Sequence, residues 1–180
     1  MSKTKRVVFA VLGAFVASIL VILIVAALRP SHYAVSRSRV IDATPERIAP
    51  MLTDMRAWNT WNPWDAMEPT ATKTYSDPAT GLGAWYTWQG DQTGSGRMEI
   101  ISISPTRVDY GLHFTAPMDE TATVHFDFVP ESATRTNVTW SMEGEQNLMG
   151  RVMGLFMSMD SMIGGDFEQG LLNLSERLSE

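Results

Sequence analysis

Hydrophobic and polar positions divide this chain into two parts. From Val7 to Leu28 only Gly13 and Ser18 fall outside the hydrophobic set, and no charge interrupts the run. At 1.5 Å rise per residue, 22 residues make a helix of roughly 33 Å, enough to cross a hydrocarbon core. Beyond Pro30 the apolar positions come in short alternations, and near the C-terminus at helical spacing. The expected organisation is a basic tail over 1–6, a transmembrane helix over 7–28, a linker over 29–32 and one globular domain over 33–180.

Within the domain, Tyr33–Ile41 reads as a strand. Asp42-Ala-Thr-Pro-Glu-Arg is a helix start, with Thr44 as N-cap, Pro45 at the first position and Glu46 in the first turn. Ile48, Met51, Leu52 and Met55 follow at helical spacing until Pro63 blocks continuation. Strands are then predicted at Ala71–Tyr75, Ala84–Gln89, Gly96–Ile103, Arg107–Phe114, Asp119–Val129 and Thr134–Glu143, separated by Gly- and Pro-containing turns. Alternation is clean in several: Val108, Tyr110, Leu112 and Phe114 oppose Asp109, Gly111 and His113. Ala122, Val124, Phe126 and Phe128 oppose Thr121, Thr123, His125 and Asp127. One face is apolar and one solvated, the mark of an antiparallel sheet. From Asn147 to Glu180 the spacing predicts a helix whose stripe runs through Val152, Phe156, Met159, Ile163, Phe167, Leu171, Leu174 and Leu178, with a bend at Gly164-Gly165.

Composition changes this picture in two ways. Lys3, Lys5, Arg6 and Arg29 belong to the anchor region, leaving 10 basic against 20 acidic residues beyond Pro30, a formal net charge of −10. Such a domain is repelled by phosphate backbones, so nucleic acid is excluded as a partner. The absence of cysteine removes disulfides, thiolate catalysis and Cys-ligated zinc. The apolar run exceeds the ~7–15 residues of a signal-peptide core, which favours a retained single-pass anchor over cleavage near Ala27. The tight cluster Lys3, Lys5, Arg6 places the N-terminus in the cytoplasm and the domain on the periplasmic side of the cell membrane.

The order strand, short helices, strand meander and long C-terminal helix predicts an α+β fold, a curved antiparallel sheet wrapped around the last helix. Ile41-Asp-Ala-Thr-Pro-Glu-Arg-Ile, Trp58-Asn-Thr-Trp-Asn-Pro-Trp, Gly81-Leu-Gly-Ala-Trp-Tyr-Thr-Trp-Gln-Gly, Gly94-Ser-Gly-Arg-Met-Glu-Ile and Gly165-Asp-Phe-Glu-Gln-Gly-Leu span this region. In order and spacing they resemble the START-like (SRPBCC) superfamily, within it the polyketide cyclase/dehydrase and lipid-transport group. The resemblance implies the helix-grip fold, with a cavity between sheet and helix, a fold that hosts carriers, receptors, cyclases and oxygenase subunits.

Large apolar side chains are the candidate ligand-binding residues: Trp61, Trp64, Tyr86, Trp88, Met98, Tyr110, Phe126 and Trp140, with Met153 and Met157 from a second methionine stripe on the last helix. Aromatic and flexible thioether side chains suit varied apolar ligands, and equally they fill cores. Trp58, Trp61 and Trp64 either wall a pocket mouth or wedge the short helices onto the sheet. Acid–base candidates are few. Glu120 is in phase with Ala122 but at a strand start, and His32, His113 and His125 lack metal or triad spacing. No catalytic residue, metal or cofactor is called for. The favoured expectation is a membrane-tethered binding module for a small hydrophobic or amphipathic molecule, a lipid or polyketide-like compound. The alternatives are a cyclase or dehydratase-type enzyme using the same pocket, and a structural or partner-binding domain with a filled core.

Overall fold

The computed structural model describes residues 3–179, so the first two positions of the expected basic tail lie outside the described residues. Helix α1 (Lys3–Leu28) is long and apolar enough over Val7–Leu28 to cross a membrane, a property that anchors and signal sequences share. After a three-residue connection β1 (His32–Ile41) begins. Three short helices follow, α2 (Pro45–Thr53), α3 (Met55–Trp58) and α4 (Pro63–Met67). Each starts where the sequence supplies a start: Pro45 opens α2, the Asp54 carboxylate accepts from Arg56 and Ala57 N–H, and the Asn62 side-chain oxygen accepts from Asp65 N–H.

The meander is β2 (Thr72–Tyr75), β3 (Trp85–Gln89), β4 (Ser95–Ser104), β5 (Arg107–Ala116), β6 (Glu120–Pro130) and β7 (Thr136–Glu145). With β1 they form one antiparallel sheet of seven strands in the order β1-β7-β6-β5-β4-β3-β2. The chain ends in α5 (Leu148–Met153) and α6 (Met159–Ser179), and α6 lies across β1 and β7. This is the α+β helix-grip architecture. Its outer face is polar. Arg107 bonds Asp109 and Asp127, while His125 sits 2.7 Å from Asp109 and His113 2.8 Å from Asp119.

The C-terminal region departs from the expected single helix. It breaks at Gly154–Ser158, where Gly154 ends α5 and the Ser158 hydroxyl accepts from Ser161 N–H to start α6. Gly164 and Gly165 lie inside an unbroken α6. At Gly164 the missing side chain serves an approach: a Cβ there would stand 2.1 Å from Arg37 Nη2. The Arg37 guanidinium therefore lies against the helix, pairing with Asp160 at 2.7 Å and Glu168 at 2.6 Å.

Gly170 is a harder constraint. A Cβ there would meet Trp140 Cζ3 at 2.5 Å and Pro63 Cδ at 3.1 Å, both in buried, well-packed side chains. Alanine gains up to about 1 kcal/mol over glycine in helix propensity, but overpacking costs about 1–3 kcal/mol. Gly170→Ala is expected to be net destabilising in urea unfolding, and a more stable variant would show that α6 can shift off the sheet.

Candidate functional site

Strand register sorts the inward-facing side chains into rows. The row nearest the end where β1 leaves α1 holds Lys73, Trp88, Gly96 and Phe114, and the next holds Tyr75, Tyr86, Met98, Leu112, Ala122 and Tyr33. Deeper rows carry Tyr110, Val124 and Met142, then Phe126 and Trp140. Helices α2 and α3 cover the deep rows. Tyr110 donates its hydroxyl to the Leu52 carbonyl, and Trp58 donates Nε1–H to the Tyr86 hydroxyl at 3.2 Å. Burial pushes both tyrosines' pKa well above the usual value, so they act as neutral hydroxyls.

The rows nearer the α1 end are only partly filled. A cavity of about 200 Å³ lies there, walled by Trp58, Trp64, Tyr86, Trp88, Met98, Leu112, Phe114, Val124, Trp140 and Met142 and, from α6, by Ile163 and Phe167. A dry apolar cavity of ~150 Å³ takes a benzene-sized molecule, and drug-sized sites start near ~300 Å³. The space therefore matches one ring or a short acyl segment. Trp88 is seated by Gly96, where a Cβ would stand 2.4 Å from the indole, and by its Nε1–H bond to the Thr93 carbonyl at 3.2 Å.

Of the ten candidate residues, Trp64, Tyr86, Trp88, Met98 and Trp140 stand on the cavity wall. Trp61, Tyr110 and Phe126 are buried beneath it in the aromatic cluster; Trp61 meets Trp58 edge-on at 4.6 Å and donates Nε1–H to the Met51 carbonyl. Met153 and Met157 are exposed at the α5–α6 break, because the chain turns there instead of continuing along the sheet. Trp64 packs edge-on against Trp140 and Phe167, so the tryptophan triplet wedges α3 and α4 onto the sheet, and two of its members, Trp58 and Trp64, also wall the cavity. Glu120 accepts from the Asn147 side chain at 3.1 Å, off the cavity wall.

Sequence reasoning missed a polar collar of Asn62, Asp65, Glu68, Lys73 and Thr93. Lys73 was findable, since it alternates in phase with Ala71 and Tyr75. Lys73 Nζ lies 2.5 Å from Asp65 Oδ1, so the collar's charges close on each other. Glu68 is almost fully buried and accepts from the N–H groups of Asp91, Gln92 and Thr93 and from the Thr93 hydroxyl, all within 3.0 Å. It pins the β3–β4 turn over the cavity. The Thr93 N–H contributes most, and with the other donors it outweighs burial, lowering the Glu68 pKa from 4.5 to about 2.

Because the folded value is depressed, the unfolded chain binds the extra proton between these two pH values. The Glu68 contribution is therefore fully present above about 4.5 and lost as pH falls through about 2. The stability gap between the wild type and Glu68→Gln should narrow over that interval in denaturant titrations. A gap independent of pH would mean that the carboxylate charge does not hold the turn.

A seven-stranded antiparallel sheet gripping a C-terminal helix, with an apolar cavity between them, defines a START-like ligand-binding domain. The chain belongs to the polyketide cyclase / dehydrase and lipid transport family, whose profile matches residues 32–179. No curated protein sequence matches it. Among solved structures, protein CV1439 from Chromobacterium violaceum is similar at TM-score 0.58 and 16% identity, over 82% of this chain and 97% of that one. Protein MLL2253 from Mesorhizobium loti gives 0.56 and 19%, over 81% and 98%. Hypothetical protein jhp0584 from Helicobacter pylori gives 0.60 and 9%, over 81% and 87%. At these identities the likeness speaks to the fold.

Proposed function

We propose that this protein is a membrane-tethered binding module that encloses a small hydrophobic or amphipathic molecule, a lipid or polyketide-like compound, between its sheet and C-terminal helix. The observation that carries the reading is the unfilled apolar space bounded by Trp88, Leu112, Phe114, Val124 and Ile163 in a domain that is tightly packed beneath it, around Val108 and Phe126. Binding is by desolvation: the aromatic wall takes the apolar body and the collar around Lys73 and Asp65 orients a polar group. Helix α1 serves as a retained anchor, with the N-terminus in the cytoplasm and the domain on the periplasmic side. Two experiments test this. Full-length protein stays in the membrane fraction after an alkaline wash, and a brominated fatty acid quenches its tryptophan fluorescence saturably. Release of a soluble form starting near Pro30 contradicts the anchor, and unsaturable quenching contradicts the site.

One observation favours a cyclase or dehydratase-type enzyme instead, namely the presence of Asp65 and Lys73 on the cavity wall. Their 2.5 Å ion pair holds each against the other, an arrangement suited to orienting a ligand more than to moving a proton to one. Asp65→Asn that keeps ligand affinity yet abolishes biological activity would favour the enzyme.

A further inference from the structure

The α5–α6 junction exposes apolar side chains that the domain does not use. Leu148, Met149, Met153, Phe156 and Met157 all stand in solvent within ten residues, Phe156 at 79% exposure. From Gln146 to Met159 the only charge is Arg151, in a domain whose formal net charge is −10. The same segment is fastened to the end of α1. Arg29 donates to the Gly154 carbonyl at 2.7 Å, Arg151 donates to the Ala27 carbonyl at 3.1 Å, and Gln146 N–H donates to the Ser31 carbonyl at 2.8 Å. Among the described side chains of α1, Ala26 alone is buried, in the last turn that packs on α5.

A transmembrane helix ending at Leu28 places its last turn at the boundary between acyl chains and headgroups. A segment bonded to residues 27–31 is held at that level. Exposed Phe, Met and Leu side chains with no acidic residue among them suit the interface, and the one cation is turned back to the carbonyls of Ala27 and Arg29 at the end of α1.

We propose that the segment Leu148–Met157 is seated in the bilayer interface as a second, peripheral membrane contact beside α1. The inference rests on the reading of α1 as a retained anchor. A second copy of this chain is disfavoured as the occupant, because the patch adjoins the point where the chain must enter lipid. The cavity rows of Lys73, Trp88 and Phe114 and of Met98 and Leu112 lie at the same end of the sheet as β1's exit from α1. Seating this end on the bilayer brings the cavity next to a source of apolar ligand.

The chain has no cysteine, so single labelling sites can be introduced into the full-length protein. Phe156→Cys, Phe15→Cys and Ser132→Cys, each carrying an environment-sensitive fluorophore, are reconstituted in phosphatidylcholine vesicles containing a shallow acyl-chain nitroxide. Ser132 lies in the β6–β7 turn, at the end of the sheet opposite to the one where β1 leaves α1. The expected result is several-fold stronger quenching at positions 156 and 15 than at 132. Quenching at 15 with a water-like signal at 156 overturns this inference and leaves the anchor standing. No quenching at 15 overturns the anchor and the inference with it. A blue-shifted probe at 156 that the lipid nitroxide does not quench means protein covers the patch, and also overturns it.

Discussion

Trp140→Ala is expected to lower the unfolding free energy by about 3–5 kcal/mol, a large share of the roughly 5–15 kcal/mol that holds a typical domain together. Trp140 is almost fully buried and sits at the centre of the aromatic cluster. Phe167 of α6 stacks on it at 4.3 Å and 8°, Phe126 lies at 4.9 Å, and Trp58, Trp61 and Trp64 meet it edge-on within 6 Å. Truncation therefore leaves a void that sheet, short helices and α6 all border. Its Nε1–H is buried with no hydrogen-bond partner, so the ring is held by packing alone. Trp140→Phe should accordingly cost much less than the alanine variant. Urea unfolding followed by circular dichroism measures both, and an alanine cost below about 1 kcal/mol would place the stabilising core elsewhere.

Leu112→Trp is expected to weaken binding of an apolar probe by tenfold or more, about 1.4 kcal/mol, while leaving the domain folded. Leu112 is half-buried on the cavity wall, in the row between Met98 and Ala122. A larger side chain there enters empty space, so the usual overpacking penalty of about 1–3 kcal/mol is reduced. The same substitution two residues earlier, at Tyr110, would meet the packed underside of α2. Isothermal titration with a fatty acid, paired with a melting curve, separates the effects. Unchanged affinity with an unchanged melting temperature would show that ligand does not occupy this space.

The fold was legible because its signals are local. Period-two alternation marks the inward face of β5, β6 and β7, and the Thr44-Pro45 signal starts α2, whereas Pro63, read as a stop, also opens α4 behind the Asn62 cap. What alternation does not carry is how far along each strand the helices reach. Tyr110 and Leu112 are equally inward by sequence, yet α2 covers the first and the cavity opens beside the second. Phe126 falls on the covered side for the same reason, beneath Trp61 of the α3–α4 connection. The methionine stripe was legible as helical spacing, but the turn at Gly154–Ser158 takes Met153 and Met157 away from the sheet and toward the end of α1. Glu68 and its turn were hidden because the carboxylate's partners are backbone N–H groups 23 to 25 residues away, which no side-chain pattern records.

The central claim is that the space bounded by Trp88, Leu112, Phe114 and Ile163 holds a small apolar molecule. Native mass spectrometry of the full chain released gently from detergent tests it most directly, with Leu112→Trp measured alongside. Lipids adhering to α1 are common to both proteins, whereas a ligand in the cavity is not. The account predicts that the wild type retains one additional small molecule at defined stoichiometry and that Leu112→Trp lacks it. Identical adduct patterns in the two proteins would contradict the account.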